Sequence, residues 1–137
     1  MRFEHAAHPG RTVRLGYGLN LYPSRDAAGV LAGLREVARP LAARVGRAAT
    51  PSGVGLWMPA QAVREFLADE RRYAELGELL AEAALDGFTC NAFPQGDFHG
   101  PGLKERVFEP DWSTSARLDY TLSVARLAAR LRRDAGG

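Results

Sequence analysis

The residues best suited to bind or transform a small molecule lie in the short stretch from Asn91 to His99. Asn91 carries an amide that both donates and accepts hydrogen bonds, which matches the needs of a sugar hydroxyl. His99 titrates near neutrality, so it is the candidate general acid or base, unless it is simply a surface residue of a loop. Asp97 precedes it by two residues, a spacing that fixes no carboxylate–imidazole geometry in a loop. His99 is therefore the one catalytic candidate.

The chain lacks the residue spacing of a metal site or of a nucleophilic triad. Its single cysteine, Cys90, cannot form a disulfide within the chain and excludes a multi-cysteine metal site. The oxygen and nitrogen donors of the long loop, Asp97, His99 and Asp111, match no known metal cage. No metal-binding residue is predicted, and the residues alone leave the cofactor unknown.

Three strands, each followed by a helix, are predicted to position these side chains. Apolar residues alternate from Val13 to Leu21, which is typical of a strand, and a short apolar run from Val54 to Met58 suits a buried one. A third strand is predicted over Phe88 to Phe93, after a turn at Asp86-Gly87. Apolar residues at a spacing of three or four indicate helices in between.

The helix boundaries have identifiable signals. Ser24 or Asp26 is suited to cap the first helix, and Pro40 should divide it near Ala38 because proline removes a backbone donor. Asp69 is expected to cap the second half of a helix that covers residues 60–85. The last helix is predicted to begin at Ser113 or Ser115 and to end at roughly Arg133.

Ligands of parallel βα folds bind at the C-terminal ends of the strands. Trp57 and Phe93 would offer flat apolar faces there, although core packing is the alternative for Trp57. Lys104 could hold a phosphate or acidic group, or else form a structural ion pair. A cap or a structural hydrogen bond is the alternative for both asparagines. The predicted ligand-binding residues are Asn20, Tyr22, Trp57, Asn91, Phe93, Gln95, His99 and Lys104.

Two α/β architectures fit three consecutive βα units with parallel strands. One is an open doubly wound sheet, and the other is the first part of an incomplete TIM (βα)8 barrel, which needs about 250 residues when complete. The segment after the first strand, residues 20–24, reads NLYPS and holds no glycine-rich phosphate loop. That absence argues against a dinucleotide or P-loop site.

The segment from Thr89 to Gly100, with Lys104 and the VFEPDW run of residues 107–112, resembles the EboE family of metabolite-traffic proteins. The family pattern is roughly T-x-N-G-F-P-Y-G-x-F-H, then V-K, then V-Y-x-P-D-W. Residues 55–57 and 118–122 are similar to the family as well. The first strand departs from it, because Tyr22 stands where the family has histidine. The resemblance extends over nearly the whole chain from about Val13.

The resemblance implies a xylose-isomerase-like TIM barrel, related to sugar phosphate isomerases and epimerases, of which this chain is the N-terminal portion. It implies a protein that handles or exports a small metabolite, sugar-like or prenylated, with isomerase or epimerase chemistry possible in the full-length protein. A divalent metal would be held mainly by later strands, so this chain alone is expected to be inactive. The alternative is a non-catalytic ligand-binding or assembly module that pairs with another chain.

Composition excludes several other classes of protein. With 137 residues and 46% hydrophobic content, the chain suits one domain. It has no apolar run of roughly 18 residues, and its N-terminus lacks the apolar segment of a signal peptide, so we expect a cytoplasmic protein without a membrane span. The net charge of +2 comes from scattered arginines, which does not favour nucleic-acid binding.

Three segments are expected along the chain. Residues 1–12 would form a flexible tail, residues 13–133 the partial barrel, and residues 134–137 a frayed end. Self-association, or a missing C-terminal part of the barrel, would cover the exposed edges of the sheet.

Overall fold

The computed structural model describes residues 2–45, 51–93, 95 and 107–135. It contains five strands and a set of helices that alternate with the last three strands. The strands are β1 (Arg2–Glu4), β2 (Thr12–Arg14), β3 (Gly16–Gly18), β4 (Ser52–Trp57) and β5 (Leu85–Asn91). The helices are α1 (Ala27–Gly33), α2 (Arg39–Val45), α3 (Ala60–Ala68), α4 (Glu70–Glu82) and α5 (Ser115–Asp134).

Strands β3, β4 and β5 form one sheet in chain order, and both strand pairs are parallel. Tyr17 pairs with Val54 across the first interface, and Leu56 pairs with Cys90 across the second. Helices occupy the crossovers, as parallel neighbours require. The prediction of an α/β fold with three parallel strands joined through helices is therefore confirmed.

The N-terminal segment differs from the prediction. The strand predicted over Val13–Leu21 is divided into β2, β3 and a 3₁₀ turn at Leu19–Leu21, and β2 pairs with β1 in an antiparallel hairpin. The predicted tail of residues 1–12 thus contributes β1. The alternation of apolar residues predicted one strand wrongly because these residues do not lie on one buried face. Leu19 is buried, whereas Leu15 and Leu21 are exposed.

All the described helices pack in one layer on one face of the sheet. Helix α3 contacts α1, α4 and α5, and the side chains of Val54, Leu56 and Met58 enter the same core from β4 and the residue after it. The phenol of Tyr120 on α5 donates a 2.7 Å hydrogen bond to the carbonyl of Met58. This bond ties the last helix to the end of the central strand.

Local sequence signals explain the helix boundaries. Asp26 and Asp69 cap α1 and α4, as predicted, by accepting from Gly29 N and from the amides that begin α4. The first helix is interrupted as Pro40 predicts, by a π-helical turn over Leu34–Ala38. The prediction of a serine cap for α5 was wrong, because Thr114 accepts the capping bond from Arg117 N.

The opposite face of the sheet is lined by glycine. Gly16 and Gly18 alternate with Tyr17, and Gly53 and Gly55 alternate with the buried side chains of β4, so all four lie on the face away from the helices. The Phe88 ring lies over two of them: a Cβ built on Gly16 would stand 2.4 Å from Phe88 Cε1. The missing side chains let the ring rest on the backbone.

A bulge in β5 makes this arrangement possible. The register advances from Gly53–Asp86 to Gly55–Thr89, so one residue of β4 faces two residues of β5. As a result Phe88 and Thr89 both lie on the glycine-lined face, while Cys90 packs against the helix-side core. The predicted turn at Asp86-Gly87 was wrong, because β5 already begins at Leu85 and Gly87 lies within the bulge.

Substituting Gly16 tests the contact with Phe88. We expect Gly16→Ala to destabilise the fold by about 1 to 3 kcal/mol, because its Cβ would overlap the ring and approach Gly53 O at 2.9 Å. Gly77→Ala in α4 is the matched control: nothing lies within 4 Å of its Cβ, and it should stabilise the helix by up to about 1 kcal/mol. Urea unfolding measures both. Equal effects of the two substitutions would contradict the packing described.

Candidate functional site

The C-terminal ends of β4 and β5 lie at one edge of the sheet, where two backbone hydrogen bonds hold their continuations together. Met58 N donates to Asn91 O at 3.1 Å, and Ala60 N donates to Gln95 O at 3.1 Å. The second bond joins the chain beyond β5 to the first residue of α3. This edge, called here the strand-tip edge, therefore brings together Trp57, Asn91, Phe93 and Gln95 from the predicted set.

Asn91 and Trp57 are paired in register at this edge. Asn91 Oδ1 accepts a 3.0 Å hydrogen bond from Phe93 N, so half of the amide holds the turn that follows the strand. This is the capping role named as the alternative for the asparagine. Its other half, the Nδ2 group, makes no hydrogen bond to the described residues. Asn91 can thus position the turn and still donate to a ligand.

Trp57 is buried, with 2% of its surface exposed, but it lies outside the helix-side core. It alternates with Leu56 and Met58, both of which enter that core, and so lies on the face that carries the glycines. Core packing, the alternative considered for Trp57, agrees with its burial, although the side chain lies on the glycine-lined face and not among the helices.

Asn20 and Tyr22 differ in their surroundings. Asn20 is exposed in the turn after β3, close to Gly18. The Tyr22 ring lies against Gly33 of α1, and its hydroxyl donates a 2.8 Å hydrogen bond to Glu36, which raises the pKa of Tyr22. Through these two contacts Tyr22 stabilises the first helix, a structural role that the sequence did not suggest.

Gln95 has a buried acceptor that needs a partner. Its Oε1 atom is buried and accepts no hydrogen bond from the residues that the structure describes. Buried polar atoms are nearly always paired, so an orphan acceptor at the end of a strand is a feature that calls for an explanation. A hydroxyl or amine of a ligand would satisfy it.

The sequence missed Arg117, the most unusual charged residue of the strand-tip edge. Arg117 is 8% exposed, and its Nη2 donates a 3.2 Å hydrogen bond to Ala92 O, just beyond β5. Its Nε is buried and has no hydrogen-bond partner in the described part of the chain. A signal existed in the sequence: an arginine in the first turn of a long helix opposes the helix dipole, which favours negative charge there.

Aromatic rings surround the Arg117 guanidinium. Its central carbon lies 5.1 Å from the Trp112 ring centroid, 5.7 Å from that of Phe93 and 5.8 Å from that of Tyr120. Burial raises the pKa of Tyr120 to about 12, so this phenol stays neutral. Trp112, which the sequence singled out only as part of the VFEPDW run, therefore covers a buried cation.

The rings of Trp112 and Phe108 also face solvent. They are 66% and 73% exposed, and Phe108 lies 5.7 Å from Phe93, centroid to centroid. Large exposed apolar side chains that cluster in this way are typical of binding surfaces. We refer to Phe93, Phe108 and Trp112 together as the aromatic platform.

Two predicted site residues, His99 and Lys104, lie outside the described residues, as does Asp97. Within residues 2–45, 51–93, 95 and 107–135, no three histidine, cysteine, aspartate or glutamate side chains are grouped so as to hold a metal ion.

Two cavities lie away from the strand-tip edge. One of about 250 Å³ is apolar and lies between α2 and the starts of β3 and β4. Another of about 650 Å³ lies between α4, the start of β5 and the end of α5. Neither is lined by the residues that the sequence or the orphan polar atoms single out, so we place the candidate site at the strand tips.

None of the helices in the described part of the chain is long and apolar enough to cross a membrane. Comparison with known proteins gives no relatives: no protein-family model matches the chain, and neither a curated protein nor a solved structure is significantly similar to it.

Cys90 gives a test of which face of β5 points toward the helices. Burial raises the pKa of its thiol from 9.0 to about 11. Because the folded pKa lies above the unfolded one, the stabilisation is complete below pH 9 and is lost as the pH rises toward 11. At pH 10.5 the loss amounts to about 2 kcal/mol.

We therefore expect Cys90→Ala to lose less stability than the original chain between pH 8 and pH 10.5, as measured by urea unfolding at each pH. The comparison within each variant removes the constant effect of the smaller side chain. Parallel pH profiles for the two proteins would show instead that the thiol is as accessible when folded as when unfolded.

Proposed function

We propose that this chain forms the first three βα units of a xylose-isomerase-like barrel of the EboE kind. The observation that supports this proposal most is the arrangement of the described sheet: three parallel strands in chain order, with the helices on one face only. A doubly wound sheet carries helices on both faces, whereas a barrel carries them only outside. Small residues on the other face fit the crowded interior of a closed barrel.

We infer that the bound molecule is a small metabolite with hydroxyl groups, held at the strand-tip edge. Asn91 Nδ2 would donate to such a ligand, and Gln95 Oε1 would accept from it. Trp57 lies beside Asn91 but is 2% exposed, so its ring packs beneath this edge and supports it rather than presenting an open face to the ligand. Tyr22 takes no part, because its hydroxyl is directed to Glu36.

For catalysis the described residues supply binding groups rather than acid–base or metal chemistry. Amides, aromatic rings and one arginine make up the strand-tip edge, and a divalent ion prefers carboxylate oxygens or imidazole. The resemblance places the metal of a complete barrel on later strands. We accordingly assign this chain ligand binding and derive no metal-dependent step. The catalytic candidate His99 keeps the role of a general acid or base in any isomerase-like reaction.

Titration of the 15N-labelled chain with neutral polyols (xylose, glucose and myo-inositol) tests the binding site by NMR. We expect the amide resonances of Met58, Asn91 and Phe93 to shift, and Asn91→Ala to weaken binding about tenfold with little change in melting temperature. Ser52→Ala, at the opposite end of the sheet, is the control and should bind normally. No binding at tens of millimolar, or shifts confined to the opposite end, would overturn the proposal.

A second candidate is an assembly module, which the free strand edges favour. Among the described residues, β3 and β5 each pair on one side only, and unpaired edges attract further strands. A ligand-binding role and strand pairing with another chain are compatible. Sedimentation equilibrium tests the assembly module. A concentration-dependent dimer supports it, and a monomer up to about 100 μM argues against it.

A further inference from the structure

Within the described part of the chain, the guanidinium of Arg117 is a buried cation without a counter-ion. Its side chain forms no ion pair within residues 2–45, 51–93, 95 and 107–135, and its single hydrogen bond goes to the carbonyl of Ala92. Arginine stays protonated at any physiological pH, so the charge cannot be removed by titration. Burying a charge without an anion is costly, and native proteins pair or expose such groups.

The surrounding rings offset only part of this cost. Three aromatic centroids lie between 5.1 and 5.8 Å from the guanidinium carbon. Cation–π contacts at such distances stabilise a buried charge only modestly and leave the hydrogen-bonding capacity of the guanidinium unused. Arg117 Nε in particular is buried and has a proton with no acceptor. An arginine held in this way lacks an oxygen ligand on its unsatisfied side.

The position of Arg117 strengthens this interpretation. It lies in the first turn of the 20-residue helix α5, where the helix dipole attracts negative charge. It also lies at the strand-tip edge, through its bond to Ala92 just beyond β5. The helix terminus and the orphan guanidinium nitrogen therefore favour the same kind of group at the same place.

We propose that Arg117 is the receptor for an oxyanion, a carboxylate or a phosphate, carried by a ligand whose adjoining part is flat and apolar. The oxyanion accepts from Nε and, in the side-on geometry of a planar guanidinium group, from the second N–H of Nη2, whose other N–H is bonded to Ala92 O. The flat part rests on the aromatic platform, whose Trp112 and Phe108 rings are largely exposed. This inference deepens the proposed function, on which it rests for the location of the binding edge.

The test uses small oxyanions as probes, at constant ionic strength, with the 15N-labelled chain. Benzoate and phenyl phosphate carry both features, acetate and inorganic phosphate carry the charge alone, and benzamide carries the ring alone. We expect the two aromatic oxyanions to shift the Nε–Hε resonance of Arg117 and to bind about tenfold more tightly than acetate or phosphate. Benzamide should leave that resonance unchanged. The relative affinities of benzoate and phenyl phosphate identify which oxyanion is preferred.

Variants separate the contributions of charge, geometry and ring. Arg117→Met should abolish the binding of every oxyanion, and Arg117→Lys should weaken it about tenfold because the planar fork is lost. Trp112→Leu should reduce benzoate binding and leave inorganic phosphate unaffected. Arg126→Met, an exposed position on the same helix, is the control for a change in net charge and should bind as the original chain does.

The proposal is overturned if no oxyanion at tens of millimolar shifts the Arg117 resonance, or if Arg126→Met weakens binding as much as Arg117→Met does. The resonance is measured on the unmodified chain, so this outcome is informative even if Arg117→Met does not fold. If polyols shift the amide resonances and no oxyanion shifts the Arg117 resonance, this inference is wrong and the proposed function stands. If oxyanions bind at Arg117 and no polyol binds, the proposed function is wrong and this inference stands.

Discussion

The alternation of side chains along β4 determines how the rest of the described fold is arranged. This strand is hydrogen-bonded on both sides, and its residues alternate between glycine and large apolar groups up to Leu56. Val54 and Leu56 attract the helices to one face because burying their side chains removes apolar surface from water. Gly53 and Gly55 leave the other face free of bulk. One strand thereby determines both the helical layer and the glycine-lined face on which the Phe88 ring lies.

The strand-tip edge combines rigidity with unsatisfied polar groups. Backbone hydrogen bonds from Met58 and Ala60 and the phenol of Tyr120 join both strand ends to α3 and α5. Against this fixed background, Gln95 Oε1 and Arg117 Nε are buried polar atoms that have no hydrogen-bond partner among the described residues. A binding site held by strands and helices keeps its geometry without a ligand, which lowers the entropy cost of binding.

Local chemistry made part of this structure predictable. Asp26, Asp69 and Pro40 act through their own backbone neighbourhoods, so their effects on helix boundaries could be inferred from residue type alone. The buried apolar run at β4 could also be predicted from residue type. The start of β5 could not, because Asp86-Gly87 is a typical turn sequence, whereas the actual turn uses Ala84, a non-glycine residue at φ 49°. The hairpin forms because β1 pairs with β2, a separate segment of the chain, so the residue pattern within either strand does not predict it.

The candidate site was predictable only in its location. Parallel strands imply a binding edge at their C-terminal ends, and this selected Asn91, Phe93 and Gln95. Arg117 escaped because its significance comes from being buried among rings that lie elsewhere in the chain. Tyr22 shows the opposite case, since its position at a strand end suggested binding and its contact with Gly33 and Glu36 is structural.

The extra residue in β5 also controls the phase of everything downstream of it. Side chains of a regular strand change sides at each residue, so a β5 that kept all its residues but lacked the bulge would carry every side chain after Phe88 on the opposite face. Cys90 would then emerge where Asn91 now stands, and the amide would be turned inward among leucines. The face on which Asn91 lies at this strand end is thus determined by one extra residue, which comes earlier in the strand than the residues whose side chains it orients.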